Sequence, residues 1–445
     1  MRSAPLILLI SLLALTVSAQ KTDEVLATAA GLTFTINTLS ENARRAYLEQ
    51  NSAVAEERSR LYAQLVRETL IEAEAKASNR ASDALITAEM RKAADPSAAE
   101  IKSVYESNRS AFGNRTIDEV RPQIVAFLKA NAEQKAMTGL VDRLKTKHKF
   151  TAGRDVNAFG LKPSDTLFSI TGHTVTAGDF NNRFKAHVYD VKSEIAAIVF
   201  SDLENTIFSA LVEQEAKARN MGAGDLLAAE ITNKLRDFTD AERAALEGGL
   251  KNRLFEKYAV KFSVKEPEPV AHDVSADDDP VSGNPAAPVT VIMFSDFQCS
   301  TCAVTHPVLK KVLAEYGDKV RLVVRDFPLE SIHENAFRAA LAASAARQQG
   351  KFFEYTELLY QNQDHLDAAS LSKYAGELGL NLKQFELDLS SEKSAAEIRK
   401  DMADALKYGS RGTPTIFVNG VKVQVLAADA FRTAIDRALA AGTSK

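Results

Sequence analysis

VTVIMFSDFQCSTCAVTHPVLKKVLAEYG, Val289–Gly317, is the stretch whose reading decides the C-terminal fold. Val289–Phe294 is a continuous apolar, largely β-branched run, as expected of a strand buried on both faces. From Ala303 to Gly317 the periodicity is helical. Between them lie Cys299 and Cys302, the only cysteines in 445 residues. The pair therefore sits where the carboxyl end of a strand turns into a helix.

That position has chemical consequences. Cysteines at i and i+3 across a helix start reach disulfide geometry with little backbone movement. Unsatisfied N–H groups and the helix dipole favour an anion there, which lowers the pKa of Cys299 and makes it the nucleophile. Cys302, one turn in and expected to be buried, closes or reopens the ring. A purely structural bridge closes only a tiny loop and stabilises little. A zinc site needs four ligands, and only His306 is nearby in sequence, so no metal is expected. Asp296 reads either as a proton acceptor for Cys302 or as a cap on the turn. His306, followed by Pro307, reads as a modulator of the thiolate or as an ordinary packed helix histidine.

Downstream, "KVRLVVRDF" reads as a second strand, and helical segments dominate from His333 to Tyr408. Asn419-Gly420 between apolar runs marks a tight hairpin, and an amphipathic helix ends the chain. The motifs "FSDFQCSTC", "RDFPLESIHENAFRAALAASAARQQGKFFEYTELLYQNQDHL" and "GSRGTPTIFVNG" resemble the DsbA-like thioredoxin family across residues 281–445. The resemblance implies an α/β thioredoxin-like domain with a helical insertion and periplasmic protein thiol–disulfide oxidoreductase activity. It implies no cofactor beyond a redox-active Cys299–Cys302 disulfide. It also makes Thr413-Pro414 a cis-proline pair opposite the cysteines, whose outward backbone groups can bind an extended client strand. Ser300 and Thr301 depart from the family, whose members often carry proline, or proline and histidine, between the cysteines. Two hydroxyls supply no charge, so a more modest oxidising power is expected, and oxidase, isomerase and reductase all stay open.

At the other end, "MRSAPLILLISLLALTVSAQ" combines Arg2, an apolar run from Leu6 to Val17 and small residues around Ala19, the pattern of a cleaved leader. The run is shorter than the roughly 20 residues a spanning helix needs, and no later segment reads as long and apolar enough to span. The expectation is a periplasmic or otherwise exported protein, in a compartment where disulfides persist. Net charge −4 and the absence of a phosphate-binding glycine loop argue against nucleic-acid and nucleotide partners.

The intervening chain repeats itself. "GLTFT" at Gly31 matches "GHTVT" at Gly172, and "LIEAEAKASN" at Leu70 matches "LVEQEAKARN" at Leu211, both at an offset of 141 residues. Two matches in one register point to a duplicated unit. Each copy starts with a short strand and enters a long helix, with Tyr62, Val66 and Leu70 forming one apolar stripe and Ile195, Val199, Leu203, Ile207 and Leu211 the other. Ser97 with Glu100, and Thr116 with Glu119, fit capping boxes. Both copies end in a helix leading into a short strand. These segments, above all "PSAAEIKSVYESNRSAFGNRTIDEVRPQIVAFLKANAEQKAM", resemble the helical module of the SurA-like periplasmic chaperone and prolyl-isomerase family. Only Gly113 separates the halves of that module, so the parvulin isomerase domain has no room. The resemblance implies a grip on unfolded chains. The alternative is a spacer or dimerisation arm.

The expected architecture is thus multidomain, mostly α in a duplicated N-terminal region and α/β at the C-terminus. It comprises a leader (1–19), two helical modules (20–155 and 156–264), an acidic proline-containing tether (265–280) and the thioredoxin-like domain (281–445). Expected partners are unfolded or cysteine-containing client proteins, a membrane redox partner that recycles the disulfide and, for a dimerisation arm, a second copy of the chain. The rival reading is a chaperone or assembly factor with an idle thioredoxin-like domain.

Overall fold

The computed structural model of the chain describes residues 24–92 and 95–442. The expected leader and its cleavage site near Ala19 lie outside the described residues. The first run of elements is β1 (Val25–Ala29), β2 (Leu32–Thr35), α1 (Glu41–Ser78), α2 (Ser82–Met90), α3 (Ala98–Ser107), α4 (Arg109–Phe112), α5 (Ile117–Lys147) and β3 (Thr151–Ala152). The second is β4 (Thr166–Ile170), β5 (His173–Thr176), α6 (Ala177–Ala218), α7 (Ala223–Glu230), α8 (Asp240–Lys257) and β6 (Lys261–Phe262). The third is β7 (Val281–Gly283), β8 (Val289–Ser295), α9 (Ser300–Tyr316), β9 (Val320–Asp326), α10 (Ala336–Gln348), α11 (Phe352–Gln361), α12 (Ala368–Glu377), α13 (Leu382–Leu389), α14 (Glu392–Lys407), β10 (Thr415–Val418), β11 (Val421–Lys422) and α15 (Ala428–Gly442).

The hairpins β1–β2 and β4–β5 share register and irregularity at the sequence offset. Ala27 faces Phe34 as Phe168 faces Val175, and each has a bulge one residue earlier. The third strand of each sheet comes from the other run. β6 pairs with β1 through Ala27↔Phe262, and β3 pairs with β4 through Ala152↔Phe168. Both capping boxes form, at the starts of α3 and α5.

The chain divides into two compact units: residues up to Val54 with Val191–Pro267, and Ala55–Asp190 with Glu268–Lys445. In the first, Val199, Leu203, Ile207 and Leu211 of α6 are buried against Leu26, Ala27 and Ile36. Their four-residue spacing places them on one face, which explains the burial. Contrary to the sequence expectation, α6 is long and apolar enough over 18 residues to cross a membrane by length and composition. In the second unit, Leu61, Leu65 and Leu70 of α1 pack with Leu167, Phe168 and Phe180.

The C-terminal sheet has the order β11-β10-β8-β9-β7. β8 and β9 are parallel, and the other pairs are antiparallel. β8 is covered on both faces, with Val291 and Met293 in the larger cluster and Ile292 and Phe294 in the smaller. Edge strand β7, three residues long and exposed, carried no apolar pattern and was not anticipated.

The acidic segment is not the free tether expected from its composition. His272 donates its backbone N–H to Gly420 O at 2.8 Å, and Val274 and Ala276 pack on the smaller cluster. The cause is Arg325 on β9, which is fully buried. Its guanidinium lies 2.9 Å from Asp279, 3.0 Å from Asp401 and 2.9 Å from Asp404, and it also donates to Ser275 O at 3.2 Å. A buried guanidinium requires carboxylates around it, and the acidic segment supplies some of them.

Candidate active site

The site forms where β8 ends. Asp296 O accepts the Cys299 N–H at 3.1 Å, and Asp296 Oδ1 accepts the Gln298 N–H at 2.8 Å. These two bonds close the turn that delivers Cys299 to the N-cap of α9, with φ −75° and ψ 121°. No side chain caps the helix. Its first N–H groups are left to the sulfur, and the Thr301 and Cys302 amides both favour the Cys299 thiolate.

Both cysteines are free thiols; Cys299 is 8% exposed and Cys302 fully buried. The Cys302 thiol, donating to Cys299, pulls the Cys299 pKa down to about 5 against the cost of burial. The Thr413 side chain adds to this, and its Oγ1 has no other hydrogen-bond partner. Burial pushes Cys302 in the opposite direction, far up, and the hydrogen bond to Cys299 adds to that. The two thiols are thus strongly differentiated, the outer one an anion at neutral pH and the inner one protonated.

The Thr413–Pro414 peptide bond is cis, and Thr413 O lies 3.4 Å from Cys299 Sγ. The cysteine pair and the Thr413–Pro414 pair, more than a hundred positions apart, therefore meet through Cys299 and Thr413. Ser300 and Thr301 are exposed on the first turn. Asp296 is buried, and its carboxylate is engaged: besides Gln298, it accepts the Leu329 N–H at 2.9 Å and contacts His333 Nδ1 at 2.7 Å. That is the capping reading of Asp296. His306 pairs through Nε2 with Glu357 at 2.9 Å, and its ring lies 4.8 Å from Tyr360. Both had been open in the sequence, and the hydrogen bonds favour the structural role in each.

Several neighbours carried no local signal. Gln363 donates to Phe297 O at 2.9 Å and Cys299 O at 2.8 Å, fixing the turn from the α11–α12 loop. Ser295 and Tyr360 share a buried hydroxyl pair at 2.6 Å beneath the cysteines. Arg411, two residues before Thr413, pairs with Glu57 of α1 at 2.6 Å. Close by, His272 contacts Asp190 at 2.8 Å, and His187 contacts Lys407 O at 2.9 Å. Asp277, Asp279 and Asp401 bring carboxylate oxygens together at a spacing that suits a cation. Arg325 already fills that role, and Lys400 pairs with Asp277.

Residues 275–437 match the family model described as Thioredoxin. Among curated proteins, the chain is 38% identical over 160 residues to the Na(+)/H(+) antiporter NhaA 1 of Mycolicibacterium gilvum, covering 35% of this chain and 26% of that protein. It is 42% identical over 147 residues to the Na(+)/H(+) antiporter NhaA 3 of Salinispora tropica, covering 33% and 22%. The chain thus spans only about a quarter of the length of these relatives. Among solved structures, it is similar to a thioredoxin-like oxidoreductase from Silicibacter pomeroyi DSS-3, with 32% identity, 37% of this chain, 94% of that chain and a TM-score of 0.35. It is also similar to BdbD from Bacillus subtilis, with 23% identity, 39% of this chain, 100% of that chain and a TM-score of 0.35. The family match and the β8–α9 architecture agree that the C-terminal part of this mostly helical chain is a thioredoxin-like α/β domain.

Proposed function

We propose that this protein is an exported protein thiol–disulfide oxidoreductase that acts on unfolded or folding clients through Cys299 and Cys302. The observation that carries the reading is the split between the two thiols, one held as an anion at a helix start and one kept buried beneath it. In the oxidised protein a client thiolate attacks Cys299 Sγ and the Cys299–Cys302 bond breaks. The electron pair leaves on Cys302. A second client thiol then attacks the client sulfur of the mixed disulfide and releases Cys299 as a thiolate. The proton of that second thiol balances the charge on Cys302. The client is oxidised by two electrons, and the cysteine pair is reduced.

A Cys299 pKa near 5 stabilises the reduced pair, which favours donating disulfides over reducing them. Since no charge lies between the cysteines, this stabilisation rests on amides, the Cys302 thiol and Thr413. The cis-proline loop, with Thr413 half-buried beside Cys299, is the proposed place for an extended client strand. The helical region is proposed as a duplicated, SurA-like client-holding arm. The shared register and bulge of its two hairpins support the duplication. Holding a client near Cys299 raises its effective concentration there.

The test is oxidation of a reduced, unfolded protein by the full chain and by Cys299→Ser. Equal rates would remove the enzymatic reading. For the arm, an excess of an unfolded protein lacking cysteine should slow oxidation of the protein client while leaving a small dithiol unaffected. Equal inhibition of both, or of neither, would remove the client-holding role.

A further inference from the structure

The reaction proposed above places charge on Cys302 each time the ring opens or closes, yet that sulfur is fully buried and its thiolate is disfavoured. Something beneath it must offset that cost. Asp296 offers its backbone, but its carboxylate is spent on Gln298, Leu329 and His333. Asp326 pairs with Ser295 across β8 and β9, but after burial its strongest influences are Asp401 and Asp279, on the Arg325 side. Besides the Asp296 backbone, the side chain that favours the Cys302 thiolate is Ser295, 1% exposed at the end of β8 and bonded to Tyr360, which packs in one cluster with Cys302. The Ser295 Oγ lies 2.6 Å from the Tyr360 hydroxyl.

We propose that Ser295 is a further catalytic residue, donating its hydroxyl proton in a hydrogen bond to the Cys302 sulfur while the Cys299–Cys302 bond opens or closes. Tyr360 is the positioning residue: its O–H donates to Ser295 Oγ and turns the serine hydroxyl toward sulfur. The proton stays on Ser295, so no acid or base is consumed. In the reduced protein the same donors run in one direction, from Tyr360 to Ser295 to Cys302 to the Cys299 thiolate. Aligned donors of this kind polarise one another. Tyr360 suits the task because its ring is fixed by Phe297 at 5.4 Å and His306 at 4.8 Å, and burial keeps its hydroxyl protonated.

This inference rests on the oxidoreductase reading, and the experiment separates the two. The full oxidised chain is mixed with dithiothreitol, and ring opening is followed by stopped flow, with Cys299 alkylation of the reduced protein measured in parallel. Loss of a hydrogen bond to a charged sulfur should slow opening about tenfold in Ser295→Ala. Tyr360→Phe, which keeps the ring packing, should slow it about threefold, and the double variant should match Ser295→Ala alone. Alkylation at neutral pH should change less than about twofold in all three, since Cys299 remains ionised. A structural defect would slow both reactions and add in the double variant. Wild type opening no faster than free cystine would end the oxidoreductase reading. A fast wild type with both single variants within twofold of it, or with additive losses, would overturn the role of Ser295 alone. Should Ser295→Ala fail to fold, Tyr360→Phe decides the matter by the same two rates.

Discussion

Replacing Cys302 by alanine isolates what one thiol does for its neighbour. The largest influence lowering the Cys299 pKa to about 5 is the hydrogen bond from Cys302, ahead of Thr413 and the amides of the first turn. A hydrogen bond to a charged group is worth about 1.5–3 kcal/mol, and one pH unit of midpoint corresponds to about 1.36 kcal/mol. Cys302→Ala should therefore move the Cys299 titration from about 5 to about 6–7, while the helix amides keep it below the roughly 8.5 of free cysteine. Thiolate absorbance near 240 nm, or the rate of iodoacetamide alkylation against pH, reads the midpoint directly. A variant midpoint still near 5 would show that the helix start alone holds the anion. A wild-type midpoint near 8.5 would refute the electrostatic account and, with it, the enzymatic reading.

Three other outcomes are expected. The reduced protein should gain stability relative to the oxidised one as pH rises from about 5 to about 8.5, by roughly 1.4 kcal/mol per unit. The sign follows because a depressed folded-state pKa means that the unfolded chain binds the extra proton in that window. Above about 8.5 the gain should flatten and fall, because Cys302, raised by burial, stays protonated only while folded; paired melts of the two redox forms check both limbs. Arg325→Met should cost about 3–5 kcal/mol in urea unfolding, because it leaves Asp279, Asp401 and Asp404 facing one another without their cation. A loss under about 1 kcal/mol would show that the cluster is water-filled and self-screened. Gly420→Ala should cost about 1–3 kcal/mol, since Gly420 has φ +82° and a methyl there would strike His272 O, the start of the docked acidic segment. An unchanged midpoint of unfolding would mean that the segment is not held there.

Much of the redox site was legible because its information is local. A buried strand, two cysteines three apart and a helix start occupy consecutive positions, and their geometry follows from backbone periodicity alone. The capping boxes at Ser97 and Thr116 and the hairpin at Asn419-Gly420 are equally local, and all three form. The quoted motifs at an offset of 141 likewise mark short strands that lead toward long helices, β2 before α1 and β5 before α6.

What the sequence could not decide was partnership. β3 and β6 are two residues long, too short for their pattern to select a neighbour, and only the folded chain shows each completing the other run's sheet. The acidic segment read as solvated because composition records charge but not the buried Arg325 that draws it in. Asp296 and His306 lay beside the cysteines in sequence, yet the Asp296 carboxylate closes the turn and holds Leu329 and His333, and His306 pairs with Glu357. Ser295, Tyr360 and Gln363 reach the site, two of them from helix α11 and its following loop. Helix and strand periods are properties of neighbouring residues, so the chain announces its own elements. Which side chains then share a buried volume depends on how those elements pack across long separations, and that is a property of the fold alone.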